Sequence, residues 1–335
     1  MQSTLVSILI PFKNTSKYLK ECLDSIINQT YTNWELLIID DGSTDDSYSI
    51  VSLYSNKDSR IKLYKNDGSG IIDALNLAFQ NSSGVFVTRM DSDDIMTPNK
   101  LEVMVNSLNR YEKGHIALGL VSYFSKDGIS DGFAKYEQWL NKLTKKGENY
   151  SEIYKECVVP SPCWMTFRED LIKCEAFLPN RYPEDYDLAF RFYKYGIKCI
   201  PNNDILHHWR DYPIRTSRTH EHYAQNHFID LKLNYFLELN YDASRPLVIW
   251  GAGLKGKTVA KKLVEKNIPF HWICDNPKKI NKHIYNQKLK AFIFLEDLNN
   301  PQSIITVANV QAQKEIKSYL HDQKMKSMTD YFFFC

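Results

Sequence analysis

Two acidic clusters and one glycine cluster carry the chemistry this chain can do. Asp91-Ser92-Asp93-Asp94 packs three carboxylates into four residues. Side by side they repel one another. A divalent cation among them offsets that cost, because hard cations prefer oxygen ligands. Mg2+ or Mn2+ held there would bridge phosphate oxygens and neutralise charge growing on a leaving diphosphate. The plainer alternative is a solvated acidic turn ahead of a helix. Asp40-Asp41-Gly42-Ser43 is the second cluster. An acid at that point can accept hydrogen bonds from a base or ribose, while the glycine lets the chain turn closely. A polar turn with a helix-capping serine fits the same residues. Gly251-Ala252-Gly253-Leu254-Lys255-Gly256, with Asp275 19 positions beyond the last glycine, matches the dinucleotide fingerprint.

These clusters need elements to hold them. Val6 to Ile10, Trp34 to Ile39, Ile61 to Tyr64 and Val85 to Met90 are short apolar runs that read as buried strands. Between them, Tyr18, Leu19, Cys22, Leu23, Ile26 and Ile27 recur at helical spacing, with Thr15 and Ser16 as caps. Ser43 or Thr44 caps a second helix, Ile71 to Phe79 forms a third, and Thr97-Pro98 opens a fourth. Ala117 to Phe124 reads as a further strand. Such alternation predicts a mostly parallel α/β sheet covered on both faces. Both acidic clusters then lie at carboxyl ends of strands, where open sheets bind ligands. Residues 126–160 are polar with scattered aromatics and carry no clear period. Cys163 to Phe167 reads as a strand, Asp185 to Tyr195 as a helix, Ile205 to His208 as a strand and Glu221 to Leu239 as a long helix. A break near 240–246 precedes a second α/β unit: strand Leu247 to Trp250, the glycine turn, helix Thr258 to Lys266, and strand Phe270 to Cys274 ending at Asp275.

The run VSILIPFKN, then DDGSTD, GIIDALNLAF and RMDSDD, resembles the family 2 glycosyltransferases of GT-A fold over about residues 4–125, and more loosely to about 240. The resemblance implies an enzyme with a nucleotide-sugar-binding domain over 1–240. Pro11 and Asp41 would line the base and ribose, Asp93 would hold the metal, and Asp91 the ribose or the metal shell. Arg89 would orient the acidic loop. Tyr182-Pro183-Glu184-Asp185-Tyr186 resembles the family's Glu-Asp motif, whose Asp acts as general base. Asp185 would take the proton from an acceptor hydroxyl during a single inverting displacement, and Glu184 would orient the acceptor. Against this, acids are common in a helix's first turn, where the dipole lowers their basicity. In relatives a later His completes the metal shell, and a basic loop closes over the diphosphate. His207 and His208 compete for the first role, one expected to pack inward. Arg210, Arg215 and Arg218 suit the second, because a guanidinium forks onto phosphate oxygens. The donor would be UDP-linked and the cofactor Mn2+ or Mg2+. Trp139 and Trp164 would stack on sugar rings or serve as core.

The whole layout also resembles queuosine-tRNA galactosyltransferase-like proteins, through Tyr136 to Leu143 and the trailing IWGAG module. That implies a small Rossmann-like domain over 247–335 and brings in tRNA as an acceptor, behind a surface glycan. Residues 247–335 carry 14 Lys and 7 Asp+Glu, a balance of +7, against −5 for residues 1–246, with 28 Lys+Arg and 33 Asp+Glu. Ten of those Lys fall between 255 and 290, a pattern that contacts phosphates or merely forms a solvated face. Only 89 residues run from 247 to 335, short for a complete NAD-binding domain, so a packing or acceptor-binding role is expected there.

Composition bounds the alternatives. A hydrophobic fraction of 43% and a charged fraction of 24% suit a chain that buries full cores. No window of 18 uninterrupted apolar residues predicts a membrane span, and the start of the chain reads as a strand, not a signal peptide. Seven Cys without a CxxC pair read as reduced core thiols of a cytoplasmic protein. A sugar-1-phosphate nucleotidyltransferase would carry a glycine-rich basic loop after its first strand, and Pro11-Phe12-Lys13-Asn14 has none. A non-catalytic sugar-nucleotide-binding protein is the remaining rival.

Overall fold

The computed structural model describes residues 4–213, 215 and 227–335. The chain divides into two compact units, Met1–Tyr150 with Val158–Thr219, and Ser151–Cys157 with His220–Cys335. The division falls ahead of the 240–246 break, because the helix before that break packs with the second unit.

The first unit is built on strands β1 (Val6–Phe12), β2 (Trp34–Asp40), β3 (Ile61–Lys65) and β4 (Phe86–Arg89). They alternate with helices α1 (Ser16–Ile27), α2 (Ser47–Ser55) and α3 (Ile71–Gln80). Every residue of β2 is buried, the signature of a parallel strand covered on both faces. On α1 the buried residues are Leu19, Cys22, Leu23 and Ile26, one stripe at helical period. Next come β5 (Ile95–Met96), α4 (Lys100–Tyr111), β6 (His115–Leu118), β7 (Leu120–Phe124) and α5 (Asp131–Lys146). Strand β8 (Trp164–Phe167), helices α6 (Arg168–Lys173) and α7 (Glu184–Lys194), and strands β9 (Lys198–Ile200) and β10 (Ile205–Arg210) complete the unit. The main sheet has the order β3-β2-β1-β4-β8-β6-β9. It is parallel except where β8 runs against β4 and β6. A separate sheet, β5-β10-β7, stands beside it.

The single strand expected over Ala117 to Phe124 is two strands in two sheets. Gly119 is the crossing point. A Cβ there would lie 2.6 Å from Leu206 Cβ and 2.8 Å from Cys163 Sγ, so only glycine lets the chain pass. Gly119→Ala should therefore lower the unfolding free energy by about 1–3 kcal/mol, the usual cost of overpacking, readable as an earlier urea midpoint at unchanged m value.

The aperiodic stretch after residue 126 contains α5, a helix that ends on Gly147 in the left-handed conformation (φ 67°). Its Glu137 and Asn141 do the work of a missing strand. Glu137 Oε2 accepts from Tyr123 N at 2.6 Å. Asn141 Oδ1 accepts from Val121 N at 2.9 Å, and its Nδ2 donates to Val121 O at 2.8 Å. The open edge of β7 is thereby covered, and β10, the central strand of that sheet, is held beside the acidic loop.

The second unit contains α8 (His227–Leu239), β11 (Leu247–Trp250), α9 (Leu254–Glu265), β12 (His271–Cys274), β13 (His283–Ile284), β14 (Gln287–Ala291), β15 (Gln302–Ile305), α10 (Val310–Asp322) and β16 (Tyr331–Phe333). Its sheet runs β13-β14-β12-β11-β15-β16 and is parallel except for β13. The order reverses at β11, so the glycine turn sits at a topological switch point. Phe292–Asp297 is a 3-10 turn. No described helix is long and apolar enough to cross a membrane.

Candidate active site

The carboxyl ends of β1, β2 and β4 gather the residues that the motifs singled out. Pro11 lies near the end of β1, half-buried. Asp40 and Asp41 differ in their tasks. Buried Asp40 shapes the turn, its Oδ1 accepting from Ser43 N at 2.9 Å. Asp41 is aimed and held: Oδ1 accepts from Asn66 Nδ2 at 2.7 Å and from Gly70 N at 2.9 Å, and Oδ2 is 3.5 Å from Lys13 Nζ. Asn66 and Gly70 were given no role from sequence alone. The available signal was Gly70 itself, ahead of a helical run, and its φ of 89° favours glycine. A Cβ on Gly70 would lie 3.5 Å from Tyr182 Oη, so Tyr182 faces the same turn. Its hydroxyl is pushed up by burial and then by Glu184, Asp73 and Asp41.

The three carboxylates of the acidic loop separate into two kinds. Asp94 is fully buried. Its Oδ1 accepts from Arg210 N at 2.8 Å, and its Oδ2 lies 3.0 Å from His207 Nε2. His207 Nδ1 is 3.3 Å from Lys100 Nζ, which also donates to Pro162 O at 2.6 Å. An ammonium only donates, so Nδ1 accepts and Nε2 carries the hydrogen given to Asp94. Burial first, and then Lys100, hold His207 well below the usual imidazole range. Both ring nitrogens are used. His207, expected as a candidate metal ligand, is thus fully buried with both ring nitrogens engaged by Lys100 and Asp94, and Asp94 is engaged in turn by His207 and the Arg210 backbone. His208 is the accessible member of the pair, half-buried and edge-on to Phe124 with ring centroids 6.4 Å apart. His207→Leu would strand buried Lys100 against Asp94 and should cost about 3–5 kcal/mol. His208→Ala should cost under about 1 kcal/mol. Denaturant titrations of the two variants compare them directly.

Asp91 and Asp93 face one positive group. Arg215 NH2 lies 3.8 Å from Asp91 Oδ2, and Arg215 Nε lies 4.0 Å from Asp93 Oδ2. Tyr212 Oη donates to Asp93 Oδ2 at 2.8 Å. Burial, then Asp94 and Asp91, raise the Asp93 carboxyl to about 7, against the opposing pull of Arg215. Asp91 Oδ2 and Asp93 Oδ2 thus turn toward the same guanidinium, and carboxylate oxygens are the ligand type a hard divalent cation would take. Among the described residues no three His, Cys, Asp or Glu side chains form a ready-made cage, so any cation there leans on its substrate. The loop itself is braced by α1: Ser92 Oγ donates to Thr15 Oγ1 at 3.1 Å, and Cys22 Sγ reaches Asp91 O at 3.7 Å. Thr15, expected as a helix cap, makes no side-chain cap bond.

Arg210, expected to fork onto phosphate oxygens, has its guanidinium engaged by protein groups. Its Nε donates to Asp93 O at 2.6 Å, its NH2 pairs with Glu21, and its guanidinium lies over Tyr18 and Phe124, 4.7 and 4.5 Å from the ring centroids. It anchors the acidic loop. Arg215, placed in the same role, faces the carboxylates and sits 5.2 Å from the Trp209 ring. Arg218 lies outside the described residues.

The first turn of α7 brings the last carboxylates. Glu184 is only 3% exposed. Arg89 NH1 donates to its Oε1 at 3.0 Å, while Arg89 NH2 donates to Asp91 Oδ1 at 3.1 Å. Asp185 Oδ1 accepts from Tyr186 N at 2.8 Å. Burial and then Glu184 raise Asp185 to about 7, with Arg89 opposing. The expected weakening of its basicity by the helix dipole is outweighed by desolvation. Trp164, 1% exposed and edge-on to Phe192 at 5.9 Å, is core and offers no stacking face. Trp139 is partly buried, 5.6 Å from Tyr136.

In the second unit Gly251 has φ 115°, and a Cβ on Gly256 would lie 2.1 Å from Gly251 O. These two glycines are explained by the close approach of helix and turn. Lys279 Nζ donates to Ala252 O at 2.7 Å, and Trp250 Nε1 donates to Asp275 Oδ2 at 3.2 Å. The acid that a dinucleotide site would use on ribose thus holds an indole.

Known proteins are similar to this chain. The family model described as Glycosyl transferase family 2 matches residues 7–174. Glycosyltransferase GlyG of Streptococcus pneumoniae serotype 4 is 27% identical over 215 residues, covering 62% of this chain and 71% of GlyG. An uncharacterised glycosyltransferase of Rickettsia typhi is 36% identical over 298 residues, covering 88% of this chain and 86% of its own. The crystal structure of S. aureus TarS 1–349 in complex with UDP-GlcNAc aligns with a TM-score of 0.55 at 18% identity, over 77% of this chain and 71% of that one.

Proposed function

From the premise that this chain belongs to glycosyl transferase family 2 and moves a sugar from a nucleotide sugar, we propose an inverting, metal-assisted transferase that uses a UDP-linked donor and Asp185 as general base. One observation carries the reading. Arg89 joins the acidic loop, where Asp91 and Asp93 face Arg215, to the helix turn that carries a half-buried Asp185 of raised pKa.

Asp41, fixed by Asn66 and Gly70, binds the ribose or base beside Pro11. Asp93 and Asp91 would hold Mn2+ or Mg2+, which would supply positive charge against the negative charge developing on the departing diphosphate. Arg215 supplies a second positive charge at the same place. Asp185 accepts the proton of the acceptor hydroxyl as that oxygen attacks the anomeric carbon on the face opposite the leaving group. A carboxyl pushed up to about 7 is basic enough to receive that proton, about half ionised near neutral pH and ionised above it. The acceptor is a carbohydrate hydroxyl. UDP is favoured because the TarS structure was solved with UDP-GlcNAc. A cytoplasmic setting supplies such donors.

The test is a panel of nucleotide sugars incubated with Mn2+ and the native chain, Asp93→Asn or Asp185→Asn. Release of nucleoside diphosphate from one donor, lost with Asp93→Asn, supports the reading and names the sugar. No release from any donor, together with no calorimetric binding of UDP and Mn2+, would leave a protein that does not use this donor class.

A further inference from the structure

We propose that Arg89 is a positioning residue that sets the general-base helix against the donor loop, with Glu184 as its buried anchor and not an acceptor ligand. This rests on the reading of Asp185 as the base.

The geometry is a single guanidinium fork spread between two elements far apart in sequence. NH1 is on Glu184 Oε1 at 3.0 Å and NH2 on Asp91 Oδ1 at 3.1 Å. Arg89 is 5% exposed and Glu184 3%, so neither reaches a substrate freely. Arg89 ends β4, the central strand of the main sheet, beside β1. Buried charges of this kind persist when paired and hydrogen-bonded. Because the fork is planar, fixing one end fixes the direction of the other. Asp91 and the first turn of α7 therefore cannot shift independently. Asp185, next to Glu184 in that turn, keeps its place relative to the carboxylates that face the leaving group.

The same contacts set the charge around Asp185. The groups acting on it are Glu184 on its own turn, Arg89 from β4 and Asp91 from the acidic loop. Glu184 and Asp91 push its carboxyl up, and Arg89 pulls it down. Changing Glu184 and changing Arg89 must therefore act in opposite directions on when Asp185 ionises.

The experiment is the pH profile of kcat/KM for the acceptor at saturating donor and Mn2+, using Glu184→Gln, Arg89→Met and the double variant. Glu184→Gln keeps an oxygen for Arg89, and it should move the acid limb down by about 1 unit while leaving the plateau within about tenfold of native. Arg89→Met should move the limb up by a similar amount and lower the plateau by about 10–100-fold. The double variant, which removes both buried charges and so leaves no unpaired carboxylate at Glu184, should return the limb toward its native position and serves as the readable variant if Arg89→Met is poorly folded. An unmoved limb in Glu184→Gln, or shifts of the same sign in both single variants, overturns the proposal. Asp185→Asn separates the two ideas. If it abolishes transfer while these limbs stay fixed, Asp185 remains the base and Arg89 is only structural. If Asp185→Asn transfers at the native rate, the base assignment fails and this inference with it.

Discussion

Asp185→Asn lowers glycosyl transfer by about 10²–10⁴-fold, the usual worth of a positioned general base, with donor binding unchanged. The amide fills the same space and still accepts from Tyr186 N, so the fold should be intact and UDP titrations should give the native Kd. The pH dependence supplies the sharper check. Burial and Glu184 raise the Asp185 carboxyl to about 7. The reactive form is the carboxylate, so kcat/KM for the acceptor should be flat above that value and fall about tenfold per pH unit below it. The measurement needs saturating donor and metal, because Asp93 also titrates near 7 when no cation is bound. A bound cation favours the charged form of Asp93 and takes it out of the window. A profile flat from pH 5 to 8 in the native protein would remove Asp185 from the role.

Asp93→Asn should be nearly as damaging, by about 10²–10³-fold in kcat, because stabilisation of developing charge is commonly the largest single contribution to such a step. Its signature differs from that of Asp185→Asn. Saturation with Mn2+ should move to higher concentration, and UDP should lose the metal-dependent part of its affinity. The folded protein should tolerate the change. Asp93 is raised by burial and by Asp94 and Asp91, so removing its charge relieves repulsion within the loop. An Asp93→Asn protein with native activity and native Mn2+ dependence would place the metal elsewhere or remove it from the reaction.

Much of this was legible in the chain itself. The alternation from Val6 to Met90 marks a parallel sheet because each strand is a short, unbroken apolar run, and only a strand covered on both faces needs one. The acidic clusters are legible for a related reason. Several carboxylates close in sequence are costly wherever they fold, so their presence after a strand asks for a cation or for partners. The aperiodic segment holding α5 was not legible. Its Glu137 and Asn141 satisfy the backbone of β7, and side chains that cap a remote edge leave no period. Nor was the crossing at Gly119, where the constraint comes from Leu206 and Cys163.

The sequence by itself determined the class of chemistry: a nucleotide-sugar transferase with carboxylates at the ends of strands. Only the tertiary structure decided which polar residue does what. Among three neighbouring carboxylates, Asp94 is taken by the His207 ring and the Arg210 backbone N–H, both brought from a strand more than a hundred residues on. Of two adjacent histidines, the strand's alternation buries one and leaves the other accessible. Arg210 turns to the loop and Glu184 to Arg89, because a buried charge takes the partner that long-range packing places beside it. Residue type sets what a side chain can bind. Burial and the partners brought from elsewhere in the chain set what remains free to bind a ligand.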